Sequence, residues 1–285
     1  MSDWETLGAV EPGNLIEARR QIHWAAQAVA AVGKQLLPHQ HDYGEQSFIW
    51  LAGPRVLAQG LVDGPRPFRA AVRLADPTLL LLGEKGEPLA RLPIEGRTLE
   101  EAYEWVRREA EALLGRPLEK PLERPEGIPD HPVATGAPFH LAGSPAPAEL
   151  ERYYSDADRL LRGLRERNPG ASPVRCWPHH FDLATLILLD RQADPETARS
   201  IGVGLSPGDA GKPEPYFYVL PWPRPTGGLP SLDGGAWNTE EWLGAVLEAA
   251  DLTTAGSNGA QRERIERFLN SAVQACRELL ARKGT

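Results

Sequence analysis

One arrangement of helix, histidines and strands occurs twice along this chain, and it restricts the possible folds more than any other property of the sequence. Residues 38–42 read Pro-His-Gln-His-Asp and residues 178–182 read Pro-His-His-Phe-Asp, and each segment follows an amphipathic helix and precedes short apolar runs. Apolar residues every three or four positions predict helices, and short apolar runs between turn residues predict antiparallel strands. We therefore expect an α+β fold of two similar helix–antiparallel sheet–helix halves, a pseudo-duplication, with an additional C-terminal helix.

The first half predicts a helix, a meander of strands and a second helix. Asn14 and Glu17 form a capping-box pattern ahead of a helix over residues 15–36, and Thr98 and Glu101 repeat that pattern ahead of a helix that ends at Gly115. Between these helices, strands are expected at residues 46–52, 56–62, 68–74, 78–82 and 88–94.

The second half predicts the same kinds of element. A helix begins at Pro147 and ends at residues 168–170, and strands follow at residues 173–177, 182–189, 200–205 and 216–222. Asn238 and Glu241 begin a further helix that runs through Ala250. A final helix covers residues 260–282.

The stretch between the two patterns predicts the domain organisation. Residues 116–146 are dense in proline and glycine and show no sustained period. We expect an N-terminal α+β half over residues 1–115, a connection over residues 116–146, and a C-terminal α+β half with a long terminal helix over residues 147–285, packed as one compact unit.

Charge and composition limit the partners. The net charge of −8 disfavours nucleic acid, because an acidic surface repels phosphate backbones. No apolar run approaches the length of a membrane span, and residues 1–14 lack the features of a signal peptide. Cys176 and Cys276 are far apart and lack metal-binding spacing. We expect a cytoplasmic protein without a membrane or nucleic-acid partner, either a monomer or a homodimer.

Two stretches of the sequence resemble a known family. Residues 27–38 (Gln-Ala-Val-Ala-Ala-Val-Gly-Lys-Gln-Leu-Leu-Pro) and residues 172–184 (Ser-Pro-Val-Arg-Cys-Trp-Pro-His-His-Phe-Asp-Leu-Ala) resemble an uncharacterised bacterial family, domain of unknown function 5996. The chain departs from the family pattern where Gln40 alone separates two histidines and where His179 and His180 replace Gly-Ser. The resemblance covers nearly the whole chain, and it implies a single-unit architecture but no particular activity.

The two histidine segments suggest a metal site. Residues two apart in an extended segment point the same way, so His39 and His41 share a face, as do His180 and Asp182, whereas His179 points to the opposite side. If a pseudo-twofold axis brings the segments together, three imidazoles and one carboxylate suit zinc or another divalent transition metal.

Such a metal would support hydrolysis, because it lowers the pKa of a bound water. Asp42, Glu45 and Asp209 are the candidate catalytic residues, as a general base or as partners of the metal ligands. The alternative is structural: short histidine strings often belong to half-buried loops, and Asp42 and Asp182 also suit turn caps at strand starts.

Four further residues are candidates for binding a ligand. His23 lies one helical turn from Gln27, so both could reach a pocket between helix and sheet, or simply hydrogen-bond a loop. Tyr216, Tyr218 and Trp222 could line a groove for a small molecule, or lie on a strand that a loop covers.

Three classes of function therefore stay open. The first is a small-molecule site between the two halves, in the form of a divalent-metal-dependent hydrolase. The second is a non-catalytic ligand-binding module, with Trp237 added to the aromatic groove. The third is a structural or interaction protein that dimerises through its C-terminal helix.

Overall fold

The structure is a computed structural model that describes residues 4–190 and 197–281. Within these residues the chain forms five α-helices and two antiparallel sheets, of five and six strands. The predicted α+β class, with its C-terminal helix, is confirmed. Among the described residues, no helix combines the length and the apolar character that crossing a membrane requires.

The helices and strands alternate along the chain in two groups. The helices are α1 (Ile16–Leu36), α2 (Leu99–Leu114), α3 (Ala146–Arg167), α4 (Ala249–Thr253) and α5 (Asn258–Ala281). The strands are β1 (Ile49–Leu51), β2 (Val56–Ala58), β3 (Arg69–Arg73), β4 (Thr78–Leu82), β5 (Pro88–Pro93), β6 (Arg175–Trp177), β7 (Asp182–Leu188), β8 (Ser200–Ser206), β9 (Tyr216–Trp222), β10 (Ala236–Asn238) and β11 (Gly244–Glu248).

Backbone contacts divide the chain into two compact units. The N-terminal unit comprises residues 14–151 and 175–181, and the C-terminal unit comprises the described parts of 1–13, 152–174 and 182–285. These boundaries differ from the predicted ones at 115 and 147. The Pro/Gly-rich connection belongs to the N-terminal unit, which also includes β6 and the histidines that follow it.

In the N-terminal unit, two helices pack against a five-stranded sheet of order β1-β2-β3-β4-β5. Helix α1 contacts α2, β3 and β4. It is buried along most of its length because apolar and small residues occupy several of its faces, as at Ile22, Ala26 and Val29. Helix α1 therefore forms the centre of the core, and its exposed C-terminal end is free to form one side of a surface pocket.

The buried Gln59 side chain hydrogen-bonds the C-terminal part of α1 and holds it against the sheet. The Gly33 N–H donates to Gln59 Oε1 at 2.6 Å, and Gln59 Nε2 donates to the Ala30 carbonyl at 3.0 Å. A Cβ atom at Gly33 would lie 2.2 Å from the Glu45 carbonyl oxygen, so the close approach of helix and loop requires glycine. This contact fixes the loop that contains the first histidine segment.

In the C-terminal unit, five strands of the larger sheet follow the order β10-β11-β9-β8-β7. Helix α5 contacts β8, β9 and β11. Strand β9 alternates as predicted: Phe217 and Val219 are buried on one face, while Leu220 and Trp222 are exposed on the other. Strand β9 pairs in register with β8, and Val203 of β8 lies opposite Val219.

Of the two capping boxes predicted in the first half, one is confirmed and the other is wrong. Thr98 and Glu101 exchange both hydrogen bonds, and Gly115 ends α2 at a φ of 67°. At α1, the preceding residues 12–15 already form a 3₁₀ turn, so Asn14 is not extended as an N-cap must be. Glu17 instead accepts a hydrogen bond from Gln21.

The helix predicted from Asn238 through Ala250 is wrong over most of its length. Strands β10 and β11 form an antiparallel pair there, with Trp237 opposite Ala245, and only α4 is helical. The Asn238 amide donates to the Trp242 carbonyl at 2.6 Å and so closes the turn between the two strands. Pairing of β11 with β9 buries Ala245 and Leu247, and this burial outweighs the helix-capping pattern.

Candidate functional site

Backbone pairing in the N-terminal unit brings the two histidine segments close to each other. Phe48 and Cys176 exchange two hydrogen bonds, N–H to carbonyl, at 2.9 and 2.8 Å. Phe48 follows the first histidine segment, and Cys176 precedes the second. Residues distant in the sequence thus come together beside helix α1.

A pocket of about 350 Å³ lies where these segments meet α1, and we call it the Trp177 pocket. Its walls come from four parts of the N-terminal unit: α1, the first histidine loop, the Pro-rich connection and the second histidine segment. The lining residues are Gln27, Ala30, Ala31, Lys34, Asp42, Tyr43, Gln46, Glu123, Arg124, Pro125, Glu126, Trp177, Pro178 and His179. Of the residues predicted for catalysis or binding, Asp42 is in this set.

Two side chains of α1 hold the second segment in place through one carbonyl group. Pro178 O accepts hydrogen bonds from His23 Nε2 at 2.6 Å and from Gln27 Nε2 at 2.8 Å. Because a carbonyl oxygen only accepts, the His23 proton must be on Nε2. The hydrogen bond from helix to loop, one of the two alternatives for His23 and Gln27, is present for both residues, and Gln27 also lines the pocket.

His23 acts as a buried, neutral anchor behind the pocket wall. Burial lowers its pKa to about 4, although the hydrogen bond to Pro178 acts in the opposite direction. The imidazole stacks on the Phe181 ring, with 5.0 Å between ring centroids and 9° between planes. His23 is not among the pocket-lining residues, so it holds Pro178 in place from behind the wall.

The His179 and Trp177 side chains form the aromatic part of the wall. The His179 ring lies 4.3 Å from the His180 ring and 6.5 Å from the Trp177 ring, measured between centroids. Partial burial, followed by the neighbouring His180, lowers the pKa of His179. The His179 imidazole is therefore neutral near neutral pH and offers one N–H donor and one acceptor.

Glu45 organises the first histidine loop from inside. Its buried carboxylate accepts from the Gln40 N–H at 3.0 Å and faces His39 Nδ1 at 3.1 Å. Burial raises the pKa of Glu45, but these hydrogen bonds outweigh it, and the net pKa lies below the usual value. Both carboxylate oxygens of Glu45 are thus occupied within the loop, and the residue is placed to stabilise this loop.

Asp42 connects the first loop to strand β6 at the pocket rim. Its carboxylate pairs with Arg175 Nη1 at 2.7 Å and accepts from the Gly44 N–H at 3.0 Å. A Cβ atom at Gly44 would lie 2.1 Å from Arg175 Nη1, so a larger residue there would make the Arg175 side chain shift. The alternative interpretation of Asp42 as a turn cap agrees with this geometry.

The four predicted metal ligands are not gathered into one site. His39 faces Glu45, His41 is exposed, and His180 lies against His179. Asp182 begins β7 in the C-terminal unit, where Tyr218 donates to its Oδ2 at 2.5 Å. Across residues 4–190 and 197–281, no three His, Cys, Asp or Glu side chains are grouped as a metal ion would require.

The remaining predicted site residues lie in the C-terminal unit, and two of them pair with each other. Tyr216 donates to Asp209, whose carboxylate also accepts from the Gly211 and Lys212 N–H groups at 2.8 Å each. Burial and this carboxylate raise the pKa of the Tyr216 phenol. Asp209 therefore closes a turn and fixes Tyr216, while Trp222 is exposed to solvent.

The charges around the Trp177 pocket are nearly all compensated. Lys34 Nζ pairs with Glu123 at 2.7 Å, while Arg124 pairs with Glu100 and lies over the Tyr103 ring. The exposed carboxylate of Glu126 has no ion pair within the described part of the chain. The lining therefore has a small excess of negative charge.

The sequence signals for these residues differ in strength. Trp177 and Tyr43 adjoin the histidine segments, so attention to neighbouring aromatic residues would have found them. Lys34, Arg124 and Glu126 lie at a helix end and in the Pro-rich connection, where no periodic pattern indicates a site.

Comparison of the chain with models of known protein families, with curated proteins and with solved structures finds no match in any of the three.

Proposed function

We propose that this protein binds a small organic molecule in the Trp177 pocket of its N-terminal unit. One observation carries the proposal: a cavity of about 350 Å³ whose wall is held by the double hydrogen bond of His23 and Gln27 to Pro178. A wall held in this way is formed before any ligand arrives, which lowers the entropic cost of binding.

The size and lining of the cavity suit a metabolite-sized ligand. Small-molecule sites generally have volumes of about 300–1,000 Å³ and combine apolar or aromatic walls with a few placed polar groups. Here Ala30 and Ala31 leave space above α1, Trp177 and Tyr43 supply aromatic surface, and His179 supplies polar atoms.

The proposal also includes the family that the chain resembles and the cellular compartment in which the protein works. The stretch that resembles domain of unknown function 5996 includes Trp177, Pro178 and His179, which all line the pocket. Cys276 is a free, buried thiol and Cys176 is also buried, which supports a reducing compartment such as the cytoplasm.

A fragment screen by ligand-observed NMR tests the proposal when it is repeated on a variant with a filled pocket. Ala30→Leu places a larger side chain in the Trp177 pocket, and Ala142→Leu makes the same change in a different pocket of the same unit. We expect compounds that bind the unmodified protein and Ala142→Leu, but lose about tenfold or more in affinity with Ala30→Leu. A screen without hits, or hits that bind all three proteins equally, would refute the proposal.

A further inference from the structure

The strongest indication of ligand chemistry is the orientation of one buried amide. Gln27 is 3% exposed, and its Nε2 donates to both Pro178 O at 2.8 Å and His23 O at 3.1 Å. Both partners are carbonyl oxygens, so the NH₂ end must face them and the amide orientation is fixed. Its Oε1 consequently points the other way.

Gln27 Oε1 is an acceptor without a partner within the described residues, and Gln27 lines the Trp177 pocket. This oxygen is not sealed from solvent, so a ligand that supplies a donor makes a directed hydrogen bond to it in place of one to water. The pocket therefore favours a ligand with an N–H or O–H group directed at α1.

The charged residues around the pocket argue against an anionic ligand. Lys34 and Arg124 already pair with Glu123 and Glu100, so their positive charges are largely compensated and attract an anion only weakly. Glu126 carries an uncompensated negative charge in the same lining. These charges tolerate a neutral ligand, and they attract a cation weakly.

The aromatic rings define the shape of the partner. Trp177, Tyr43 and His179 surround the pocket together with the small Ala30 and Ala31, and such rings favour flat ligands that stack or meet them edge-on. A planar group that carries NH₂ has one hydrogen for Gln27 Oε1 and a second for another acceptor of the lining.

We propose that the ligand of the Trp177 pocket is a flat molecule that presents an NH₂ group on an sp² carbon, as carboxamides and amidines do. The inference rests on the proposed function, because it names the ligand class for that same pocket. Its basis is the fixed Gln27 acceptor, and the negative lining charge adds a preference for the amidine.

Three probes of the same shape test this inference: benzamide, benzamidine and benzoate, titrated into the full-length protein by NMR. We expect benzamide and benzamidine to bind about tenfold or more tightly than benzoate, which has no N–H donor and carries a negative charge. Ala30→Leu should abolish binding of both. Benzoate binding as tightly as benzamide would overturn the inference.

Two carboxylate variants separate the contribution of charge from that of the hydrogen bond. Glu126→Gln should weaken benzamidine by about two- to fivefold and leave benzamide unchanged, because exposed charges interact weakly across solvent. Glu119→Gln removes another exposed carboxylate, which lines a neighbouring pocket but not the Trp177 pocket, and should change neither. Equal weakening of both probes by Glu126→Gln would contradict the assigned role of Glu126.

The outcomes also distinguish this inference from the proposed function. If none of the three probes binds, but other fragments bind and lose affinity with Ala30→Leu, the ligand class is wrong and the pocket retains its function. If no compound from the screen binds either, the proposed function fails, and the inference fails with it.

Discussion

The two histidine segments of the N-terminal unit have similar sequences but are held by different means. The first, residues 38–42, is organised by the buried Glu45 carboxylate, which belongs to its own loop. The second, residues 178–181, is held by His23 and Gln27 of α1, more than 150 positions away in the sequence. The first segment exposes His39 and His41, whereas the second places His179 in a pocket wall.

The difference shows that a short motif does not fix what its residues do. His39 and His179 both follow a proline, yet a local carboxylate faces one imidazole and the Trp177 pocket faces the other. The fold determines which groups lie next to each histidine, and these neighbouring groups decide what the histidine does. Its role can therefore be assigned only once the structure shows those neighbours.

An aromatic residue with left-handed backbone directly follows the first segment and ends the second. The φ angle is 54° at Tyr43 and 58° at Phe181. Such a conformation costs non-glycine residues about 1 kcal/mol or more, and side-chain contacts must compensate for it. Phe181 is 1% exposed and stacks on His23, whereas Tyr43 is 58% exposed. Mutations at these residues and their anchors can therefore test the comparison.

The largest effect is expected at Phe181. Phe181→Ala removes a buried ring and its stacking contact with His23, and it should lower the free energy of unfolding by about 3–5 kcal/mol. Tyr43→Ala, at the same backbone conformation, should cost less than about 1 kcal/mol. Urea denaturation of the two variants measures the difference, and equal losses would show that the two segments are held equally.

His23 should make stability depend on pH. Its pKa is 6.5 ordinarily and about 4 in the fold, so the unfolded chain binds the proton more readily. The contribution of neutral His23 to the free energy of unfolding is complete above pH 6.5 and is lost as the pH falls toward 4. Each pKa unit corresponds to about 1.4 kcal/mol, so the total loss is about 3 kcal/mol.

Urea denaturation between these pH values should show the loss in the unmodified protein and a flatter profile in His23→Gln. The exposed His41 provides the control, since His41→Gln should keep the original profile. A profile of the His23→Gln variant that matches the unmodified protein would assign the acid sensitivity to other groups.

Glu45 should contribute less, because its hydrogen bonds are local to one loop. Glu45→Gln replaces one accepting oxygen by an NH₂ group and should cost about 1–2 kcal/mol near neutral pH. Because the pKa of Glu45 is lowered in the fold, its contribution to the free energy of unfolding is present above pH 4.5, the ordinary pKa, and disappears as the pH falls below that value. Asp42→Asn, at an exposed ion pair, is the comparison variant and should cost less. A larger cost at Asp42 would reverse the assigned roles.

The fold was predictable from the sequence where local periodicity and long-range packing agree. Strand β4 (Thr78–Leu82) and strand β9 (Tyr216–Trp222) have the predicted bounds, and α1 begins one residue later than predicted and ends as predicted. The pair of β10 and β11 was missed, because Asn238 and Glu241 resemble a helix cap and only pairing with β9 shows that β11 is a strand.

The site was predictable only in part, for a physical reason. Helical spacing places His23 and Gln27 on one face, and a hydrogen bond to a loop was one of the two alternatives for them. The identity of the accepting carbonyl, Pro178 O, depends on the pairing of Phe48 with Cys176, which no local pattern encodes. The hydrogen bond to that carbonyl fixes the orientation of the Gln27 amide. The sequence alone therefore could not predict the direction in which Gln27 Oε1 points.

The smallest effect on stability, but a clear one on binding, is expected from Tyr43→Gly. Glycine adopts the φ of 54° without the steric cost, and the lost side chain is mostly exposed, so the free energy of unfolding should change by less than about 1 kcal/mol, in either direction. Because Tyr43 lines the Trp177 pocket, the affinity for benzamide should nevertheless fall several-fold. Paired denaturation and NMR titrations measure both quantities. Unchanged affinity would mean that the Tyr43 side chain makes no contact with the ligand, and it would sharpen the contrast with the second segment, which places His179 in the wall.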